Sequence, residues 1–303
     1  MTDPFDVLRT PVTPAQPDPA FAARLRARLE RALDLPEGVA VSDLTDLSRA
    51  ARETPPAEDN AATPGGAPQQ GDIGYASLWV PDVARAAAFY TAVLSVEYLP
   101  GHGGGRQAPG LTPPQALWHS DGRPALFCSY VVDDAAAAVG QVRAAGGQAG
   151  EPVPQPYGLS ADCVDTDGLR FAVYQPSAAQ AGVAGSRPAA AGQDGDLIYV
   201  TLEVPDADRT LTFYSAALSW RSRPGRSPGG WQVEGTTPMI GVSGGHAEAA
   251  MVPVWRAADV AAAVARVRTE GGASTEPHQE PYGLIAEGSD NQGFRFSITQ
   301  FPG

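Results

Sequence analysis

The sequence predicts an α+β protein built by internal duplication, with two copies of one unit over residues 72–176 and 195–303. The segment GDIGYASLWVPDVARAAAFYTAVLS aligns with GDLIYVTLEVPDADRTLTFYSAALS, which places Tyr75 and Tyr199 at an offset of 199 − 75 = 124 residues. The tetrapeptide PYGL occurs once in each copy, beginning at 156 and 281, an offset of 281 − 156 = 125. An offset this constant over about a hundred residues indicates a structural repeat.

The first predicted element lies before the repeats. Asp18 is placed to cap a helix, Pro19 occupies its first position, and apolar residues follow at four-residue intervals. We therefore expect one amphipathic helix over residues 17–34. A stretch rich in Pro, Gly and Ala completes this N-terminal region, 1–71, and a similar stretch predicts a linker between the repeats over 177–194.

Each repeat opens with an alternating apolar segment (IGYASLWV, LIYVTLEV), then Pro-Asp, then an Ala-rich stretch with Phe-Tyr on one face. This order predicts a strand, a helix cap and a helix. A second strand–helix pair follows at LFCSYVVDDAAAAVGQVRAAGG and MVPVWRAADVAAAVARVRTEGG, and each ends at a Gly pair suited to a helix stop. Further strands are predicted at Ala161–Val164, Phe171–Gln175, Ile285–Glu287 and Phe296–Gln300. Each repeat is therefore expected to contain two modules, each a strand, a helix and further strands.

Composition excludes several classes of function. The net charge of −13 argues against general nucleic-acid binding, because neutralising phosphates needs a cationic surface, and all 21 basic residues are Arg. No run approaches the length of a membrane span and the N-terminus lacks a secretory pattern, so we expect no membrane association and a cytoplasmic location. The two cysteines, Cys128 and Cys163, are too few for a disulfide framework and are expected to be buried thiols.

The motifs together resemble the vicinal oxygen chelate superfamily, which includes glyoxalase I, bleomycin-resistance proteins and extradiol dioxygenases. The resemblance rests on the opening strand with Val-Pro-Asp and Phe-Tyr, and on the closing D-x-D-G-x-R-F-x-x-x-Q of Asp165–Gln175, with a weaker copy at Gly293–Gln300. It covers about two hundred residues. It implies that each repeat consists of paired βαβββ modules that curl into a cup for a small molecule.

Metal-dependent members of that superfamily hold a divalent ion with a His in the first strand, a His or similar ligand opening the second module, and a Glu in the last strand. Carried over to this sequence, these positions hold Tyr75, Phe127 and Ala172 in the first repeat, and Tyr199, Val252 and Ser297 in the second. His102, His119, His246 and His278 lie in loop-like stretches with no partner carboxylate at ligand spacing, so they are interpreted as surface or loop histidines. We therefore predict no catalytic metal and no other cofactor.

Alternation along the strands predicts which side chains line the cups. The inward set is aromatic and aliphatic with a few hydroxyl and charged groups, which is the usual composition of a pocket for a drug-sized molecule. The candidate ligand-binding residues are Tyr75, Trp79, Phe127, Arg170, Tyr174, Tyr199, Thr201, Glu203, Arg256 and Arg295. The second repeat is the better candidate site, because it carries Glu203 opposite the inferred Arg256. The alternative is that the aromatic residues simply fill closed cups and that this pair is structural.

The leading functional hypothesis is a metal-free protein that binds a small organic molecule and sequesters or handles an aromatic antibiotic or secondary metabolite. An alternative is a metal-independent isomerase, lyase or cyclase acting in the same cup. No nucleophile–base motif is visible in the sequence, but Tyr, Glu or Arg in a desolvated cup can move protons or stabilise an oxyanion without one. A third reading is an interaction module in which the N-terminal helix docks a partner. The sequence leaves open whether the cups form within or between repeats, and whether the protein is a monomer or a homodimer.

Overall fold

A computed structural model shows how the two repeats fold, and it describes residues 68–108, 110–177, 192–227 and 229–301. The predicted helix over 17–34 and most of both predicted linkers lie outside these residues. The first repeat contains β1 (Ile73–Val80), α1 (Val83–Leu94), β2 (Leu99–Pro100), β3 (Arg106–Ala108), β4 (Gln115–His119), β5 (Ala125–Val131), α2 (Ala135–Ala144), β6 (Gln148–Ala149), β7 (Val153–Gln155), β8 (Gly158–Val164) and β9 (Arg170–Pro176). The second repeat contains β10 (Leu197–Glu203), α3 (Ala207–Leu218), β11 (Ser222–Pro224), β12 (Gly230–Val233), β13 (Met239–Ser243), β14 (Ala250–Arg256), α4 (Val260–Thr269), β15 (Ala273–Ser274), β16 (His278–Glu280), β17 (Gly283–Ser289) and β18 (Arg295–Gln300).

Each repeat forms one mixed sheet of nine strands. The order in the first is β2-β3-β4-β1-β5-β9-β8-β6, with β7 also on β8, and the second repeats it as β11-β12-β13-β10-β14-β18-β17-β15, with β16 on β17. The strands that open the two modules, β1 and β5, pair antiparallel at the centre of the first sheet, as β10 and β14 do in the second. Both modules of a repeat therefore belong to the same sheet, which answers the question that the sequence left open. Any cup is built within one repeat.

Aspartate caps begin each of the four α-helices in the part of the chain that the structure describes. Asp82, Asp134, Asp206 and Asp259 each have extended backbone dihedrals and accept a hydrogen bond from a backbone N–H of the first turn. Such a cap satisfies one of the N–H groups that a helix leaves unpaired and contributes about 1 kcal/mol. The longest helices have 12 residues, and no helix in the described ranges is long and apolar enough to cross a membrane.

The helix-bearing faces of the two sheets meet and share one hydrophobic core. Helix α1 packs against α4, and α2 packs against α3. Tyr130 lies in edge contact with Tyr214 and Trp220 of the other repeat, with ring centroids 6.0 and 5.4 Å apart. Its counterpart Trp255 contacts Tyr90 at 5.2 Å. Because the apolar faces of both repeats are buried against each other, the opposite face of each sheet is the one available to a ligand.

Reciprocal hydrogen bonds cross this interface. Tyr90 donates to Asp290 at 2.9 Å, and Tyr214 donates to Asp165 at 3.0 Å. These are equivalent pairs, since 214 − 90 = 124 and 290 − 165 = 125. The exchange of equivalent contacts gives the two repeats an approximate two-fold relationship, as in a symmetric dimer.

Candidate functional site

The face of each sheet that is turned away from the helices is called here its outer face. In β1 the side chains of Ala76 and Leu78 belong to the shared core, so those of Tyr75, Ser77 and Trp79 lie on the outer face. In β10 the core residues are Val200 and Leu202, and the outer-face residues are Tyr199, Thr201 and Glu203. The remaining candidate residues alternate with core positions in the same way; they are Phe127, Arg170, Tyr174, Arg256 and Arg295.

Aromatic side chains fill the outer face of the first sheet. Trp79, Trp118 and Phe127 are 6%, 3% and 7% exposed. Trp79 lies 6.5 Å from Trp118 and 6.1 Å from Phe127, measured between ring centroids. The indole N–H of Trp118 donates to the hydroxyl of Tyr75 at 3.1 Å, and that of Trp79 donates to Ser77 at 3.0 Å. The polar atoms of these rings are therefore paired within the protein itself.

The other end of this face is filled in the same way. Tyr174 is 7% exposed and packs edge-on against Tyr157 with centroids 6.1 Å apart. Desolvation raises the pKa of both phenols to about 12. Arg170 lies half-buried at the first position of β9. Both ends of the first outer face therefore hold aromatic side chains packed against one another.

The outer face of the second sheet is more open. Tyr199, Thr201, Val252 and Val254 are only partly buried, and Arg295 is exposed. Gly241 of β13 lies against the Tyr199 ring, since a Cβ at this position would be 1.9 Å from the phenol oxygen. The glycine therefore leaves room for Tyr199 to lie along the sheet. This face combines aromatic, aliphatic and charged groups with access to solvent, as ligand pockets do.

The positions of the superfamily's metal ligands fall on these outer faces. In the first sheet Tyr75, Phe127 and Ala172 lie on neighbouring strands β1, β5 and β9. Their counterparts in the second sheet are Tyr199, Val252 and Ser297. Neither set provides the imidazole and carboxylate donors that hold a divalent ion. Among the described residues no group of three or more His, Cys, Asp and Glu side chains is arranged to hold a metal. The donor set therefore does not fit the family's metal centre.

The expected pairing of Glu203 with Arg256 is wrong. Strands β10 and β14 run antiparallel and Glu203 lies opposite Ala250, so Arg256 is six residues further along, at about 3.3 Å per residue or ~20 Å away. Arg256 instead lies over the ring of Phe301, with its guanidinium carbon 6.0 Å from the ring centroid. The partner of Glu203 is Arg295, which reaches it from β18 with both terminal nitrogens.

A serine and a histidine complete the charged end of this face. The Nε2 atom of His246 lies 3.0 Å from the hydroxyl of Ser243, and its Nδ1 atom lies 3.6 Å from Oε2 of Glu203. The Glu203 side chain is 16% exposed and that of His246 is 35% exposed. Ser243 is the last residue of β13, beside Glu203 in the parallel pairing of β13 with β10. We call Glu203, Arg295, Ser243 and His246 the polar cluster.

Sequence reasoning missed Ser243 and His246. His246 was interpreted as a loop histidine without a carboxylate partner, because Glu203 lies 246 − 203 = 43 residues away. A signal for this site was present in the repeat alignment. Glu203 and Ser243 correspond to Trp79 and Trp118 of the first repeat, at offsets of 203 − 79 = 124 and 243 − 118 = 125. The polar cluster therefore occupies the positions at which the first sheet is filled by two indole rings.

The opposite end of the second outer face is apolar and aromatic. Met239, which neighbours Tyr199 across β10 and β13, is 48% exposed, and Tyr282 is 44% exposed. Desolvation raises the pKa of Tyr199, and the proximity of Tyr282 contributes in the same direction. Both phenols therefore remain protonated near neutral pH, when they offer a hydroxyl donor and an aromatic face.

Known structures share this architecture. The Mn(II)-bound glyoxalase from Novosphingobium aromaticivorans is 17% identical, with a TM-score of 0.60, over 77% of this chain and 82% of that one. The 2,2',3-trihydroxybiphenyl 1,2-dioxygenase from Sphingomonas wittichii is 15% identical, with a TM-score of 0.59, over 77% and 91% of the two chains. The 2,3-dioxygenase LapB from a Pseudomonas species is 13% identical, with a TM-score of 0.56, over 78% and 96%.

No protein-family model matches the chain, and no curated protein matches it. At identities of this size, the structural likeness is a likeness of fold. The chain has the tandem fold of the vicinal oxygen chelate superfamily, as the resemblance of its motifs implies.

Proposed function

We propose that the protein binds a small organic molecule, an aromatic antibiotic or secondary metabolite, on the outer face of the second sheet, and that binding needs no metal. The observation that carries this proposal is the contrast between the two outer faces. One is filled by Trp79, Trp118 and Phe127. The equivalent positions of the other hold the partly exposed, smaller or polar side chains of Glu203, Ser243 and Val252. Such contrast within one duplicated chain favours a single ligand site, in the second repeat.

The layout of the second outer face restricts the ligand. Tyr199, Met239 and Tyr282 lie at one end and the polar cluster lies at the other. Tyr199 and Glu203 are four residues apart on one strand, which corresponds to about 13 Å. A ligand that contacts both ends is therefore elongated, with an aromatic part that stacks on the tyrosines and a polar group that meets the cluster.

The six family positions carry no imidazole and no carboxylate, which supports a metal-independent site. Elemental analysis of the protein purified without a metal-affinity step should show no stoichiometric divalent ion. Ligand affinity should also be unchanged by a chelator. A stoichiometric ion that is required for binding would contradict this part of the proposal.

The test of the proposal compares equivalent tyrosines in the two repeats. Thermal-shift screening of aromatic antibiotics and secondary metabolites should identify a ligand, whose affinity is then measured for Tyr199→Ala and for the matched control Tyr75→Ala. Loss of a stacking contact worth about 1.4 kcal/mol weakens binding about tenfold, and we expect this for Tyr199→Ala alone. Equal effects of the two substitutions would refute the assignment to the second sheet.

Chromatography of the recovered compound distinguishes sequestration from turnover. Sequestration returns the compound unchanged, whereas a metal-independent isomerase, lyase or cyclase returns a product.

A further inference from the structure

The polar cluster has the connectivity of an activated serine. Glu203 forms an ion pair with Arg295, and in this pair its carboxylate oxygens accept hydrogen bonds. The nitrogen of His246 nearest this carboxylate is Nδ1, at 3.6 Å. The negative charge therefore favours the tautomer that carries its proton on Nδ1. In that tautomer Nε2 has a free lone pair, and it lies 3.0 Å from the hydroxyl of Ser243.

From this geometry we propose that Ser243 is a nucleophile, that His246 is its general base, and that the site accepts an acyl group from an ester or thioester. The Oγ atom of Ser243 attacks the carbonyl carbon while its proton moves to Nε2 of His246. The bond from carbon to the leaving oxygen or sulfur then breaks, and that atom takes the proton from His246. Water cleaves the acyl-serine to a carboxylic acid in a second step, and no oxidant or reductant is needed.

The local backbone holds these groups in place. Ser243 lies in β13, where it is fixed by pairing with β10 and β12. His246 follows after Gly244 and Gly245, the latter with φ of +85°, and its backbone N–H donates to the carbonyl of Val204 at 3.1 Å. Glycine at 245 is suited to this left-handed conformation, which returns the chain so that the imidazole lies beside the serine.

The distances in the polar cluster also indicate how fast Ser243 should be acylated and deacylated. The Nδ1–Oε2 distance is longer than a hydrogen bond, so Glu203 acts on His246 through its charge. The N–H groups of Gly244, Gly245 and His246 already donate to backbone carbonyls. An oxyanion formed at Ser243 therefore receives no N–H donor from these three residues. We expect acylation by an activated ester to be measurable, and deacylation to be slow.

The test uses the full-length protein and p-nitrophenyl acetate, with p-nitrophenolate release and intact-protein mass as readouts. The sequence contains no lysine, so the usual source of nonspecific acylation at side-chain amines is missing. We expect one acetyl group per chain, located at Ser243 by peptide mapping. Acetylation at this position should be lost in Ser243→Ala. Its rate should fall about a hundredfold in His246→Gln, which is within the usual contribution of general base catalysis.

Matched controls are available in the same repeat. His278 also faces a glutamate, with Nε2 3.6 Å from Glu287, but serine is not its partner there, and Ser222 lies in the exposed strand β11. The substitutions His278→Gln and Ser222→Ala should leave acetylation unchanged. Acetylation that persists in Ser243→Ala, or that is absent from the wild-type protein, would overturn the proposal.

A second measurement tests the role of His246 as a base without an acyl substrate. In Ser243→Cys the introduced thiol is partly exposed, whereas Cys128 and Cys163 are buried. Alkylation by iodoacetamide reports the thiolate at residue 243, since the thiolate is the reactive form. If His246 is a base for this residue, adding His246→Gln should slow alkylation at least tenfold. Equal rates with and without His246 would exclude its role as the base. The proposed function is tested separately, by ligand affinity in Tyr199→Ala. A negative result for Ser243 acylation therefore does not count against ligand binding.

Discussion

Asp165 shows how one buried carboxylate joins two repeats. Its Oδ1 atom accepts the N–H groups of Asp167 and Leu169 at 2.8 Å, which shapes the turn between β8 and β9. Its Oδ2 atom accepts the hydroxyl of Tyr214 from α3. Burial raises the pKa of this carboxyl more than the hydrogen bonds lower it. Asp165 therefore fixes the turn and the contact with Tyr214, but its ionised form is destabilised because the carboxylate is desolvated.

The raised pKa of Asp165 predicts a pH-dependent difference between the wild type and Asp165→Asn. With the folded pKa above the unfolded value, the contribution of this carboxyl to stability is fully present below the unfolded pKa, about 4, and is lost as pH rises through the folded pKa. Asn keeps an acceptor for the turn and carries no charge. The free energy of unfolding of Asp165→Asn relative to wild type should therefore increase as pH rises above about 4. Urea unfolding at several pH values measures this, and a difference that is constant with pH would contradict it.

Gly241 provides a second prediction at a single residue. A methyl group at this position would overlap the Tyr199 hydroxyl, so Gly241→Ala should displace the ring and weaken ligand binding about tenfold or more. The effect on binding should exceed the effect on stability, because the ring end can move toward solvent. Isothermal titration together with a thermal melt separates the two effects. Unchanged affinity in a folded variant would show that Tyr199 does not contact the ligand.

At the scale of elements, the helices and central strands were predictable and the polar cluster was not. The Pro-Asp signal marks helix starts that the structure confirms at Asp82 and Asp206, because capping is decided by residues close in sequence. The strand IGYASLWV coincides with β1 for the same reason. The partner of Glu203 was assigned wrongly because it depends on strand register, which places Arg295 two strands away. Short edge strands such as β6 depend on tertiary pairing and have little sequence pattern.

Gly140 in helix α2 lies away from the candidate site, and its substitution should affect stability alone. Gly140 lies in its exposed interior, and a Cβ there would have no neighbour within 4 Å. Gly140→Ala should raise the free energy of unfolding by about 0.5–1 kcal/mol, because alanine has less backbone entropy to lose in a helix. Chemical denaturation gives this value, and the control Gly168→Ala, at φ of +86°, should instead destabilise the protein. A destabilising result at Gly140 would mean that α2 departs from regular helix there.

At the scale of the whole molecule, the two repeats share one core and are expected to unfold together. Side chains of both sheets and all four helices belong to the same cluster of buried residues. The backbone N–H of Thr237 donates to Asp72, and reciprocally that of Thr112 donates to Asp196, so the start of each sheet is joined to the other repeat. Neither repeat can separate without exposing the apolar faces of its helices.

This shared core predicts one unfolding transition for residues 68–301. Tryptophan fluorescence, to which Trp79 and Trp118 of the first sheet contribute, should change at the same denaturant concentration as far-UV circular dichroism, which reports both repeats. Tyr90→Phe removes the hydrogen bond to Asp290 across the interface. It should shift the fluorescence and circular-dichroism unfolding curves equally, to lower denaturant concentration. Two separated transitions would show that the repeats are independent domains.

The covalent fusion of two unequal repeats has a consequence for assembly. In a homodimer of identical subunits, a substitution that puts tryptophan in one outer face puts it in the other as well. A tandem chain frees the copies from this constraint, so Trp79 and Glu203 can occupy equivalent places in one molecule. The result is in effect a heterodimer with a fixed composition. The two repeats are always present in equal numbers. Because they are covalently joined, their association is intramolecular and does not depend on protein concentration.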